Sequence, residues 1–193
     1  MVSQLPVRIL GIAGSLRTGS YNYALLRAAR DLAPPGAEVH LLDRALLAGI
    51  PPYNEDVRAQ GEPASVTALK EAIRQADALL IATPEYNFSI PGVLKNALDW
   101  ASRPPETSPF SGKPVAIIGA TAGTWGTVRA QMHLRQVCQA LNMFPLNRPE
   151  VLVAFAAEKF NADGHLTDET ARQLIRSLLE ELVRWAICLR RRP

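Results

Sequence analysis

Five short apolar runs, separated by helical patterns, constrain this chain more than any other feature. They are residues 7–13 (VRILGIA), 37–42 (AEVHLL), 77–83 (DALLIAT), 113–120 (KPVAIIGA) and 150–155 (EVLVAF). Three of them are continuous rather than alternating, the pattern of strands buried on both faces. The stretches between them carry helical spacing. In 63–76, Val66, Leu69, Ile73 and Ala76 fall on one face, and Pro63 suits a first turn. Near the C-terminus, Thr167 is placed to cap a helix whose first turn holds Asp168 and Glu169. Leu174, Ile175, Leu178, Leu182 and Val183 form that helix's apolar stripe.

Strand and helix alternating five times means a parallel sheet covered by helices on both sides. The expected fold class is α/β: a flavodoxin-like three-layer sandwich with a five-stranded parallel sheet in the order 2-1-3-4-5. The 193 residues contain no internal repeat and no low-complexity linker, so a single domain is expected over 1–193. Residues 43–61 and 102–111 read as long irregular stretches, which in a compact domain tend to be functional or interfacial. Both are expected near the site.

Charge and cysteine usage narrow the function classes. Net charge is +3, and much of the excess sits in the tail 189–193 (LRRRP). Without an aromatic-plus-basic stripe beside it, the tail reads as a solvated end, and no nucleic-acid partner is expected. Residues 1–10 lack the basic and apolar regions of a signal peptide, and no apolar run reaches membrane-spanning length. Cys138 and Cys188 form no CxxC or CxxH spacing, which argues against a zinc or redox-dithiol site. Both sit in apolar helical patterns, as buried free thiols of a cytoplasmic protein would.

The first chemically loaded segment is 14–22 (GSLRTGSYN), directly after the first strand and leading into a helix at 21–32. In an open parallel sheet, ligands sit beyond the carboxyl ends of the strands. Free N–H groups at a helix start favour an anion. A triphosphatase loop needs Lys after the second Gly, and here Ser20 stands there with Tyr21 after it. The dinucleotide fingerprint needs a different glycine spacing from 11–16 (GIAGSL) and an acidic residue ending the second strand, where His40 stands. A terminal monophosphate suits the stretch better. Ser15, Thr18 and Ser20 offer hydroxyls, Asn22 an amide, Arg17 a charged fork, and Gly14 and Gly19 a tight backbone path. Leu16 and Tyr21 complete the cradle.

The second segment, 84–100 (PEYNFSIPGVLKNALDW), follows the third strand, which lies next to the first in this order. Pro84, Pro91 and Gly92 fix a rigid turn before a helix. Within the turn, the amides and flat side chains of Glu85, Tyr86, Asn87 and Phe88 could line a planar heterocycle. A phosphate cradle beside an aromatic turn makes a site for a phosphorylated flat ring, for which flavin mononucleotide (FMN) is the matching ligand.

These two segments, with 125–137 (WGTVRAQMHLRQV), resemble the NADPH-dependent FMN reductase family, which includes quinone, chromate and azo-dye reductases. The resemblance runs from the first strand to about Glu150. It implies that residues 15–22 hold the FMN phosphate and that Pro84 to Phe88 contact the isoalloxazine. It also implies that the turn 120–123, with Thr121, meets the ring or ribityl chain. NADPH or NADH would be the electron donor, and a quinone, free flavin, azo dye or chromate the acceptor, in a ping-pong exchange. Arg17, Arg103 or another arginine would meet a 2′-phosphate.

Such chemistry belongs mostly to the cofactor, so no catalytic side chain is expected. The backbone at 85–87 and 120–123 is the candidate for tuning it. No metal site is expected, and His40, His133 and His165 read as structural or exposed. The resemblance further implies a homodimer or homotetramer. Trp100, off the apolar stripe of the helix 91–101, suggests an interface. Tyr53 could complete a neighbouring site, and Arg129 and Glu150 could pair between subunits. The rival reading from another class is a flavodoxin-like electron carrier or a flavin-binding sensor without turnover; carriers are usually acidic, and this chain is basic.

Overall fold

The computed structural model describes residues 5–190. Among these residues, seven α-helices and six strands occur in the order β1 (Val7–Ala13), α1 (Tyr21–Asp31), β2 (Ala37–Leu41), α2 (Arg44–Ala48), α3 (Glu55–Gln60), α4 (Ala64–Gln75), β3 (Ala78–Ala82), α5 (Gly92–Ala101), β4 (Pro114–Ala120), α6 (Val128–Ala140), β5 (Phe144–Pro145), β6 (Val151–Val153) and α7 (Glu169–Arg190). All strand pairs are parallel, in the order β2-β1-β3-β4-β5. β3 and β4 are buried along their whole lengths, and this is why their sequences are continuous rather than alternating.

The expected fifth run, 150–155, holds β6, and a two-residue strand before it, β5, lies outside that run. β5 pairs with the start of β4 (Pro114↔Phe144), and β6 pairs with its end (Ile118↔Val151). Asn147 to Glu150 leave the ladder between them, and Pro149 lacks the N–H a continuous strand would need. The sheet therefore has six strands rather than the expected five.

Two apolar layers close on the sheet. On one face α1 and α7 bury Leu25, Leu26, Ile175, Leu178 and Leu182 against β1, β3 and β4. On the other, α2, α4, α5 and α6 bury Leu47, Val66, Ile73, Leu94 and Leu134. Among the described residues, no helix is long and apolar enough to cross a membrane.

Several local expectations need correction. Residues 43–61 hold two short helices, capped by the side chains of Asp43 and Asn54. Residues 102–111 precede β4 and so lie at the amino ends of the strands, away from the site end. Asp168, not Thr167, caps α7: its carboxylate accepts from the Ala171 N–H at 2.8 Å, while the Thr167 hydroxyl donates to the Lys159 carbonyl. Cys138 is buried, and burial pushes its thiol up to about 12, but Cys188 is exposed. Of the basic tail, Arg190 pairs with Asp77; Arg191 and Arg192 lie outside the described residues.

Trp100 is fully buried, so it marks no interface. Its indole N–H donates to the Pro51 carbonyl at 2.8 Å, and the Tyr53 ring stands edge-on to it at 5.0 Å. Asn96, one turn earlier, donates to the same carbonyl and accepts from the Tyr53 N–H. The KNALDW half of the second segment is therefore a clamp. It fixes the β2–α4 connection onto α5, and Tyr53 belongs to that packing.

Candidate functional site

The site lies beyond the carboxyl ends of β1, β3 and β4. Where β1 ends, the Gly14 N–H donates to the Ala82 carbonyl of β3 at 2.8 Å. A Cβ on Gly14 would stand 3.2 Å from a Leu94 methyl and 3.3 Å from Pro84. The glycine thus lets the first loop press against the second segment. Gly19 has open space on its Cβ side and no positive φ, so the local backbone does not itself require a glycine there.

Ser15 is buried and its Oγ accepts from the Arg17 N–H; Leu16, Arg17, Thr18 and Gly19 are exposed. Ser20 is the N-cap of α1, accepting from the Tyr23 N–H at 3.2 Å. That leaves the N–H groups of Tyr21 and Asn22 without intrahelical acceptors, and the first turn carries no acidic residue. Donors dominate this end of the site, and such a set suits a dianion.

The Asn22 amide does not face the loop as expected. It donates to the Ala120 carbonyl and accepts from the Ala120 N–H, both at 2.9 Å, and it is buried. Asn22 instead ties the start of α1 to the end of β4. The Arg17 guanidinium folds back on the Gly19 carbonyl at 3.0 Å. Arg44, hidden from sequence reasoning in a stretch read as irregular, donates to the Arg17 carbonyl and lies 4.3 Å over the Tyr23 ring.

The second segment is a two-residue hairpin. Tyr86 and Ser89 exchange both backbone hydrogen bonds, at 2.9 and 3.0 Å. Asn87 and Phe88 sit at φ 50° and 66°, the left-handed pair of a type I′ turn. A phenylalanine there is costly, and such strain persists only where surrounding structure imposes it. That structure is Glu85. Its carboxylate accepts from the Arg129 and Ala130 N–H groups at 2.9 and 3.2 Å and pairs with the Arg129 guanidinium. Glu85 thereby caps α6 from a distant part of the chain, since Thr127 at the N-cap position makes no side-chain cap bond. Arg129 in turn lies 4.1 Å over the exposed Phe88 ring and 5.2 Å from Trp125. Within this chain Glu150 pairs with Arg148.

These parts enclose an open cleft of about 220 Å³. Ser15, Arg17, Ser20, Tyr21 and Asn22 line one wall, Pro84, Glu85 and Tyr86 a second, and Ala120, Thr121 and Ala122 a third. Leu16, Thr18, Gly19, Asn87 and Phe88 flank the cleft rather than line it. The third wall is rigid. Thr121 donates its N–H to Val153 and accepts from Ala156, and its hydroxyl oxygen accepts from the Gly123 N–H. Arg103 lies elsewhere, lining a cavity with Lys95, Asp99 and Asn142.

No acid–base pair appears in the cleft. Of the histidines, His133 meets Ser89 with Nδ1 and Oγ 3.0 Å apart, and His40 lies beside Glu38. Among the described residues, no cluster of His, Cys, Asp or Glu could hold a metal. A donor-rich loop after β1, an aromatic hairpin after β3 and a neutral cleft between them define a flavodoxin-like protein with a nucleotide-type cofactor site.

Comparison with known proteins narrows that class. Residues 7–158 match the family of NADPH-dependent FMN reductases. The chain is 56% identical to an NAD(P)H-dependent FMN reductase of Pseudomonas aeruginosa, covering 95% of this chain and 97% of that one. It is 46% identical to a quinone reductase of Escherichia coli over 84% of this chain and 86% of that one. A flavoenzyme NAD(P)H:(acceptor) oxidoreductase from Paracoccus denitrificans superposes with a TM-score of 0.84 at 36% identity, covering 94% of this chain and 98% of that one. The chain belongs to the NADPH-dependent FMN reductase family. It is an oxidoreductase with FMN as cofactor and a reduced nicotinamide dinucleotide as donor.

Proposed function

We propose that this protein is an FMN-dependent NAD(P)H:quinone oxidoreductase. In this reading, donor and acceptor use one open face in turn. The observation that carries it is the joined site: a phosphate-type donor loop and an aromatic hairpin, packed on each other through Gly14, at adjacent strand ends. The quinone reductase name of the E. coli relative supports the acceptor class. Free flavin, azo dyes and chromate are further acceptors that an open, neutral cleft would admit.

The donor set fits the cofactor. Ser15, Thr18 and Ser20 hydroxyls, the Tyr21 and Asn22 N–H groups and the Arg17 guanidinium hold the phosphate, with Leu16 and Gly19 shaping the loop. Pro84 to Phe88 and Thr121 border the ring. Bound there, FMN supplies two-electron chemistry, accepting hydride and passing electrons on. The chain's own task is to hold the ring and leave one face open. Its candidates for tuning the ring are the backbone N–H groups of Glu85, Asn87 and Ala122, which have no protein acceptor among the described residues. Tyr86, Thr121 and Gly123 already use theirs.

Tyr86, which lines the cleft, and Phe88, Trp125 and Phe155 are all exposed; Phe88 and Trp125 share Arg129, and the Phe155 N–H donates to Gly123. A second copy covering them would make the homodimer, or a tetramer built from it, that the family resemblance implies. The single flavodoxin-like domain would work in the cytoplasm. The rival carrier or sensor role binds FMN without nicotinamide turnover.

A visible spectrum followed by anaerobic NADPH addition decides between them. Flavin peaks that bleach, and return with a quinone, carry the proposal. Bound flavin that ignores NADPH and NADH means a carrier or sensor. Protein that takes up no FMN overturns the site. Parallel double-reciprocal plots would establish the ping-pong order; intersecting ones would refute it.

A further inference from the structure

A second cavity, of about 630 Å³, opens on the outer side of the phosphate loop. It shares Ser20 and Tyr21 with the flavin cleft, so the two meet across the first turn of α1. Arg27 lines it from α1, and Arg44 from the start of α2. Neither guanidinium has a carboxylate within ion-pair distance among the described residues; each meets a backbone carbonyl, Arg27 that of Gly164 and Arg44 that of Arg17. The Arg27 Nη2 donates to the Gly164 carbonyl at 3.0 Å, but its Nε is buried with no acceptor. Among the described residues the fold supplies neither arginine with an anion, so each is available to an anionic ligand in the cavity it lines.

The remaining lining mixes aromatic rings with polar groups, among them Thr18, Ser20 and Asn161. Tyr21 and Phe160 stack at a tilt, 5.3 Å between centroids, and Tyr23 lies beneath Arg44. Asp163 is the one acidic side chain in the lining; it is exposed and pairs with neither arginine. The volume is that of a nucleotide-sized site. Unpaired guanidiniums beside aromatic faces, one loop away from the flavin phosphate, suit a purine nucleoside carrying a monoester phosphate. NADPH and NADH differ by such a group: the 2′-phosphate, a near-dianion at neutral pH.

We infer that this cavity receives the 2′-phosphoadenosine end of NADPH, with Arg27 and Arg44 determining donor specificity. The inference rests on the proposed donor chemistry and deepens it. An extended dinucleotide would run from the open flavin face, past the phosphate loop, to this pocket. Bidentate guanidinium–phosphate contacts would then reward the 2′-phosphate and leave NADH without a counterpart.

The test is a calorimetric titration of the FMN-loaded protein with adenosine 2′,5′-bisphosphate, with AMP and with inorganic phosphate. The bisphosphate should bind at least tenfold tighter than AMP or phosphate. Arg27→Met and Arg44→Met should each weaken it about tenfold, and should lower the NADPH-to-NADH ratio of kcat/KM by a similar factor. Arg27→Lys should recover part of the loss. Equal binding of bisphosphate and AMP would overturn the inference, as would inorganic phosphate binding as tightly as the bisphosphate. So would variants that slow NADH and NADPH alike. Arg44 is the first residue of the short α2, whereas Arg27 sits in the middle of α1, so Arg44→Met carries the test if Arg27→Met does not fold. The titration needs no turnover, so its outcome is separate from whether the protein reduces quinones.

Discussion

Glu85 is the residue whose removal tests the site's construction most directly. Its carboxylate joins the aromatic hairpin to the start of α6 through two backbone N–H groups and one guanidinium. Replacing a side-chain cap by alanine costs about 1 kcal/mol, up to roughly 2 in proteins. The Arg129 pair is partly exposed, with the arginine about a third accessible, so screening limits it to under about 1 kcal/mol. Glu85→Ala should therefore lose roughly 2 kcal/mol in all, which for a domain of this size lowers Tm by about 4–8 °C. Glu85→Gln keeps an acceptor for the helix but loses the ion pair, so it should lose roughly half as much. The assay is urea denaturation of the FMN-free protein, which isolates folding from cofactor binding. Titration with FMN should then show weaker binding in Glu85→Ala, because the strained Asn87–Phe88 turn is no longer held. A change below about 0.5 kcal/mol, with FMN affinity intact, would refute the idea that this carboxylate holds the hairpin to α6.

Three further outcomes follow from the same geometry. Asn22→Ala strips partners from both the N–H and the carbonyl of Ala120 in a buried position, so it should cost about 2–3 kcal/mol in denaturant unfolding. Cys188 should react with a thiol reagent in the native protein while Cys138 reacts only on unfolding, since one is exposed and burial raises the other's pKa to about 12; prompt labelling of both would contradict the packing. The Lys159 ammonium and the Ala171 N–H hold the Asp168 carboxyl below its ordinary value. A lowered folded pKa means its contribution is present above the unfolded value near 4 and fades as pH falls through the lower folded one. Asp168→Asn should thus reduce stability at neutral pH and flatten the acid limb of a stability-against-pH curve; an unchanged limb would show the cap is unimportant.

The order of the sheet was legible because burial on both faces writes itself as continuous apolar runs. Residues 77–83 and 113–120 became β3 and β4, and the loop after β1 and the turn after β3 then had to share one end. Side-chain types also showed that 14–22 is rich in donors and lacks the triphosphatase lysine. What the residues did with those groups was not legible. Asn22 turns to Ala120, Glu85 caps a helix far along the chain, and Trp100 is clamped on Pro51. Each choice depends on a partner 40 or more positions away, which local pattern does not encode. The meeting of Arg27 and Arg44 at one cavity is likewise set by how α1 and α2 pack, not by either local pattern. Periodicity and composition determined the layers and the ends of the sheet. Only the packed structure decided which polar groups are consumed by the fold and which remain free to meet a ligand.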